Sequence, residues 1–239
     1  MKRDTLFLPA STRKFEDFGF MQAHLCFKPN LAPERQRFGA LITIDDGVLQ
    51  PAAKGFGFHP HHDVEVVTFM VSGEVNHIDP NDASHNGCLK AKGIQIITAG
   101  SGIVHNEENN SETDMMRALQ IWLTPRAKNL PPSFHRKYIE AREYESSLIC
   151  VLSPDGLDES LVVQQNAYIS YGNFHNSISL SYQPKLESNH AFVYIIDGRM
   201  DVLGQELVKG DGFGLRDSWE FSMEISNDYE FLVFDVPTQ

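Results

Sequence analysis

The chain has 239 residues, 41% apolar and 10% aromatic, which is enough core-forming material for one large β domain or two modules of ordinary size. Its formal charge of −12, with no uncancelled basic cluster, argues against direct binding to nucleic acid or to an anionic membrane surface. Three widely spaced cysteines (26, 88 and 150), an N-terminus broken by Pro9 and charged residues, and no 18-residue apolar run lead us to expect reduced thiols and a cytoplasmic protein.

Short apolar segments rich in Val, Ile, Phe and Tyr follow one another between Gly, Asp, Asn and Pro. They fall at residues 39–44, 64–71, 94–98, 118–123, 147–152, 191–196 and 229–236, and each reads as a β-strand. The exception is 132–145, where PSFHRKYIEAREYE predicts a short helix opened by Pro132 and Ser133. Pro125, Pro131 and Pro132 interrupt the strand rhythm just before it, so we expect a division into residues 1–130 and 131–239. VTFMVSGEVNHID (67–79) and VYIIDGRMDVLGQ (193–205) share a strand–glycine turn–strand pattern, a weak sign of duplication.

The chemistry concentrates in the first half. In GFHPHHDVE (57–65), strand periodicity sends His59 and His61 to one face and His62 to the other, while Pro60 stiffens the backbone between the pair. After the turn AGSG (99–102) the same periodicity puts His105 and Glu107 on one face. Two such dyads converging inside a barrel are costly to bury unless a cation compensates them.

HPHHDVE, then VSGEV, then GIQIITAGSGIVHNE resembles the pirin family of the cupin superfamily, and the resemblance extends over roughly residues 20 to 236, including QIWL (120–123) and SPDG (153–156). It implies an all-β bicupin: two tandem cupin β-sandwich barrels (double-stranded β-helices), with metal in the N-terminal barrel only. Carried over by motif, the metal ligands are His59, His61, His105 and Glu107. The implied cofactor is one divalent transition ion, with Fe(II) expected and Mn, Co, Ni, Cu or Zn compatible with the donors. Several pirins cleave the flavonol quercetin with dioxygen, so the implied activity is a quercetin 2,3-dioxygenase with Glu107 as both ligand and base. The alternative is an iron-dependent, redox-responsive regulatory protein acting through a protein partner; a cupin isomerase is a third reading. The family also implies a monomer.

Around these motifs, Glu65 is expected either behind the metal ligands or in a structural bond, and His62 and His77 at the surface or in hydrogen bonds. Phe69 and Trp122 could wall a planar substrate but are assigned to the core, and His175 and His190 to surface or packing.

Overall fold

The computed structural model describes residues 3–140, 147–217, 219–226 and 228–238. Every α-helix is absent among them; the regular structure is strand with four short 3-10 turns. No helix is long and apolar enough to cross a membrane among the described residues. All seven apolar segments predicted as strands lie in or overlap observed strands.

Strands of the first half form a seven-stranded sheet. In spatial order it runs β12 (Ser133–Tyr138), β9 (Gly93–Thr98), β6 (Glu65–Ser72), β11 (Met116–Leu123), β4 (Leu41–Leu49), β3 (Met21–Leu25) and β2 (Lys14–Asp17). A four-stranded sheet runs β5 (His59–His61), β10 (Ile103–Asn109), β7 (Glu74–Ile78) and β8 (Gly87–Lys90). The second half repeats the plan. Its large sheet runs β1 (Thr5–Leu8), β20 (Gly212–Leu215), β17 (Asn189–Asp197), β22 (Tyr229–Pro237), β15 (Tyr168–Phe174), β13 (Ile149–Ser153) and β14 (Leu161–Val162). Its small sheet runs β16 (Ile178–Tyr182), β21 (Phe221–Ile225), β18 (Arg199–Val202) and β19 (Gln205–Val208). Matched position by position, β6 takes the place of β17, β7 of β18 and β10 of β21, so the faint repeat at 67–79 and 193–205 falls on equivalent hairpins.

Two expectations meet a different structure. The segment at 133–138 is a strand, not a helix: after the extended Pro131-Pro132 pair it adds a six-residue antiparallel ladder to the open edge of β9, from Ser133↔Thr98 to Tyr138↔Gly93. The last residues of the predicted helix, 141–145, lie outside the described residues. Strand pairing also crosses the expected division at residue 130, since β12 completes the first half's sheet while β1 pairs with β20 of the second.

The two large sheets pack back to back. Val67, Phe69, Leu119, Ile121 and Ile44 from one side meet Tyr171, Phe192, Tyr194, Leu232 and Phe234 from the other in the largest apolar cluster. Because side chains alternate along a strand, placing Val67 and Phe69 between the barrels turns Val66, Thr68 and Met70 inward. β6 is thus buried on both faces and reads as a nearly continuous apolar run, with no clean alternation. The interior of the second barrel is filled by Val193, Met200, Val202, Leu207, Met223 and Val233.

Candidate metal centre

β10 changes partners halfway along, and this builds the site. Its first residues pair with β5, setting His105 opposite His59 and Ile103 opposite His61. Its last residues pair with β7, setting Glu107 opposite His77. β5 is an edge strand, which tolerates the missing N–H of Pro60. Gly55, at φ +63, lets the loop before β5 close on β10, since a Cβ there would lie 2.1 Å from the Glu107 carbonyl oxygen.

The imidazoles of His59, His61 and His105 form a tight triangle, with ring centroids 4.6 to 4.9 Å apart. One ligand nitrogen from each lies within 4.8 Å of the other two. His59 Nδ1 is 2.8 Å from the Gly57 carbonyl oxygen, which can only accept, so Nδ1 carries a proton and Nε2 is the nitrogen left for a metal. Burial drives the His61 and His105 imidazoles down to about 4, so both are neutral near pH 7. His105 is 1% exposed, and neither of its ring nitrogens has a hydrogen-bond partner among the described residues. Three imidazoles converging on one point, His61 and His105 of them neutral, fit a borderline divalent cation.

Glu107 falls into a second group, with His77 and His105, whose ligand atoms also lie within 4.8 Å of one another. Its carboxylate accepts from Gln95 Nε2 (2.6 Å), Thr68 Oγ1 (3.0 Å) and Gln120 Nε2 (2.8 Å), and His77 Nδ1 stands 3.9 Å away. Burial alone raises this carboxyl, but the His77 and His105 imidazoles and the Thr68 hydroxyl outweigh it and hold it at about 2. Glu107 is therefore ionised throughout the physiological range.

Sequence reasoning missed Gln95 and Gln120, and left His77 between the surface and a hydrogen bond. His77, 1% exposed, is buried against Phe134 and reaches Gln95, so it is a hydrogen-bonding residue beneath the site and not a surface one. Its signal lay in β7, where Val75 and His77 alternate inward; the amides leave no signature. His62 is exposed and contacts Asp63 at 3.0 Å, on the face away from the triangle. Glu65 is fully buried and accepts from Thr98 Oγ1 and from Gln164 N of the second half, a structural bond across the barrels, and burial raises its carboxyl. Phe69 is core, against Tyr171. Trp122, assigned to the core, instead walls the cavity, its ring 5.1 Å from His61. His190 packs near Phe38, and exposed His175 pairs with Asp228. All three cysteines are free thiols, and burial raises Cys26 to about 12 and Cys150 to about 11.

His59, His61 and Glu107 face a cavity of about 160 Å³ walled by Trp122, Leu49, Met116 and Phe56. The matching strands of the second barrel carry other chemistry: β21 turns Phe221, Met223 and Ile225 into the apolar interior where β10 presents His105 and Glu107.

A family model described as Pirin matches residues 10–123, and one described as the quercetinase C-terminal cupin domain matches 150–236. The quercetin 2,3-dioxygenase of Escherichia coli K12 is 31% identical over 205 residues, 86% of each chain. Among solved structures, YhhW from Escherichia coli superposes with a TM-score of 0.89 at 27% identity, over 99% of both chains. The bacterial pirin YhhW from the same organism, solved in complex with nickel(II), gives 0.90 at 27% identity over 99% of this chain and 100% of that one. With its strand order, its histidine triangle and these similarities, the chain belongs to the pirin family.

Proposed function

We propose that the protein is a metal-dependent dioxygenase that opens a flavonol ring, with His59, His61, His105 and Glu107 holding one divalent ion in the N-terminal barrel. The observation that carries this reading is the triangle of imidazoles beside an ionised carboxylate at the wall of an aromatic-lined cavity. The names of the E. coli relative and of the nickel-bound pirin support it. We take Fe(II) as the working ion; nickel remains compatible with the same donors.

A divalent transition ion at this site supplies Lewis acidity toward an enolic hydroxyl and redox capacity toward dioxygen. The chain does the rest. Gly57 fixes the tautomer and orientation of His59. Gln95, Gln120 and Thr68 hold Glu107 as a preorganised anion, which offsets the cation's charge and is the carboxylate placed to receive the hydroxyl proton. Trp122 and Phe56 give a flat ring two apolar surfaces and displace water from the reacting face.

Anaerobic loading with Fe(II), Mn(II), Co(II), Ni(II) or Cu(II), followed by quercetin and air, tests the reading. Loss of the flavonol absorbance at a metal-dependent rate is expected. Fully loaded protein that leaves quercetin untouched with every ion refutes it in favour of the partner-binding alternative.

A further inference from the structure

Six polar side chains line the cavity: Asp45, His59, His61, Thr68, Glu107 and Gln120. Five belong to the metal centre or to the hydrogen bonds that hold Glu107. Asp45 belongs to neither. Its Oδ1 is out of solvent with no hydrogen-bond partner among the described residues, in a cavity whose lining also includes Leu49, Met116 and Trp122.

The placement follows from strand periodicity. On β4, Asp46 faces the second barrel and is fully engaged by Arg13, Arg117 and Tyr194, which turns Asp45, Gly47 and Leu49 toward the cavity. A Cβ at Gly47 would make ordinary contacts, with the Ala118 carbonyl oxygen and the Met21 side chain at 3.8 Å. In β11, Gln120 is the cross-strand partner of Asp45, so the carboxyl sits one strand away from the amide that grips Glu107. A polar group kept unpaired in an apolar wall costs stability, and that cost is recovered when a ligand supplies the missing partner.

We propose that Asp45 is a substrate-binding residue whose carboxyl hydrogen-bonds a ring hydroxyl of a flat, polyhydroxylated aromatic, while the chelating edge of that molecule faces His59 and His61. This rests on the dioxygenase reading and adds its specificity: hydroxyls away from the chelating edge are recognised. Burial raises the Asp45 carboxyl to about 7, against the pull of Lys28, so near neutral pH it can donate as well as accept.

The test uses the nickel(II)-loaded full chain under argon, so that binding is read without turnover. Trp219, 60% exposed, is replaced (Trp219→Phe) so that fluorescence reports Trp122 alone. Quercetin and 3-hydroxyflavone share the chelating edge and differ in the remaining ring hydroxyls. Quercetin should bind the parent roughly tenfold more tightly, the worth of one well-made hydrogen bond. Asp45→Ala and the nearly isosteric Asp45→Leu should each bring the two affinities within about twofold while nickel content stays at one ion per chain. Either variant suffices if the other does not fold. A parental preference kept intact in a nickel-loaded variant overturns the assignment of Asp45 and leaves the dioxygenase reading standing. No quenching of the loaded parent by either flavonol overturns both.

Discussion

Removing the Asp46 carboxylate should break the clasp between the two barrels. Asp46 is 6% exposed and accepts from Arg117 Nε (2.8 Å) and Nη2 (2.9 Å), Arg13 Nη1 (3.2 Å) and the Tyr194 hydroxyl (3.1 Å). Tyr194 lies on β17, and Arg117 also donates to the carbonyl of Ile196 there, so one carboxylate ties β4 and β11 to the opposite large sheet. Asp46→Ala leaves two largely buried guanidinium groups without their counter-charge. Losing one partner of a buried ion pair costs about 3–5 kcal/mol, against at most about 1 kcal/mol for an exposed pair. For a chain of this size that lowers Tm by about 6–20 °C. Burial opposes ionisation of Asp46, but Arg117 and Arg13 outweigh it and keep the carboxyl below the usual carboxylate range. A depressed carboxyl contributes stability above its unfolded value and loses it as pH falls through the folded one. The wild type should therefore lose in acid a contribution that Asp46→Ala never had, and the two urea midpoints should converge as pH falls below about 4. Nickel binding should be unchanged, because Asp46 points away from the cavity. A loss under 1 kcal/mol at pH 7, or one independent of pH, would refute the clasp.

Three further outcomes follow from the site. His61→Ala should abolish metal binding while His62→Ala keeps it, by elemental analysis of loaded protein; equal effects would contradict the strand phase of β5. His77→Phe keeps a ring against Phe134 but removes the imidazole beside Glu107, and should weaken metal affinity about 10- to 100-fold with little change in Tm; unaltered affinity in a chelator competition would show that His77 only packs. Asp45, raised from 3.8 to about 7, gives stability that is complete below the lower value and lost progressively as pH rises from it through 7, so Asp45→Asn should gain on the wild type by about 3 kcal/mol between pH 5 and pH 8.5. A urea-unfolding difference that is flat with pH would contradict the burial of that charge.

What was legible in the sequence is what periodicity two encodes. It separated His59 and His61 from His62 and joined His105 to Glu107, and it found the strands whose neighbours are apolar. The parts that escaped depend on which strands meet. His77 joins the site because β10 leaves β5 for β7 between His105 and Glu107, a register no local pattern announces. Gln95 and Gln120 are neutral amides with no motif of their own. Phe69 and Trp122 looked alike in sequence, yet β6 and β11 present them to opposite faces of one sheet. Residues 133–138 carry fair helix formers, and the unfilled edge of β9 overrode that propensity. The adjacent pair Asp45-Asp46 in an apolar strand held an unread clue: two acids in succession must face two different environments.

The central claim is a single metal ion held where the two strand dyads converge. Its most direct test is the metal content of Fe(II)- or Ni(II)-loaded protein set against His105→Ala, after removal of loosely bound ions. One ion per chain in the wild type and none in the variant is the expected result; an empty wild type, or a variant that loads as fully as its parent, contradicts it.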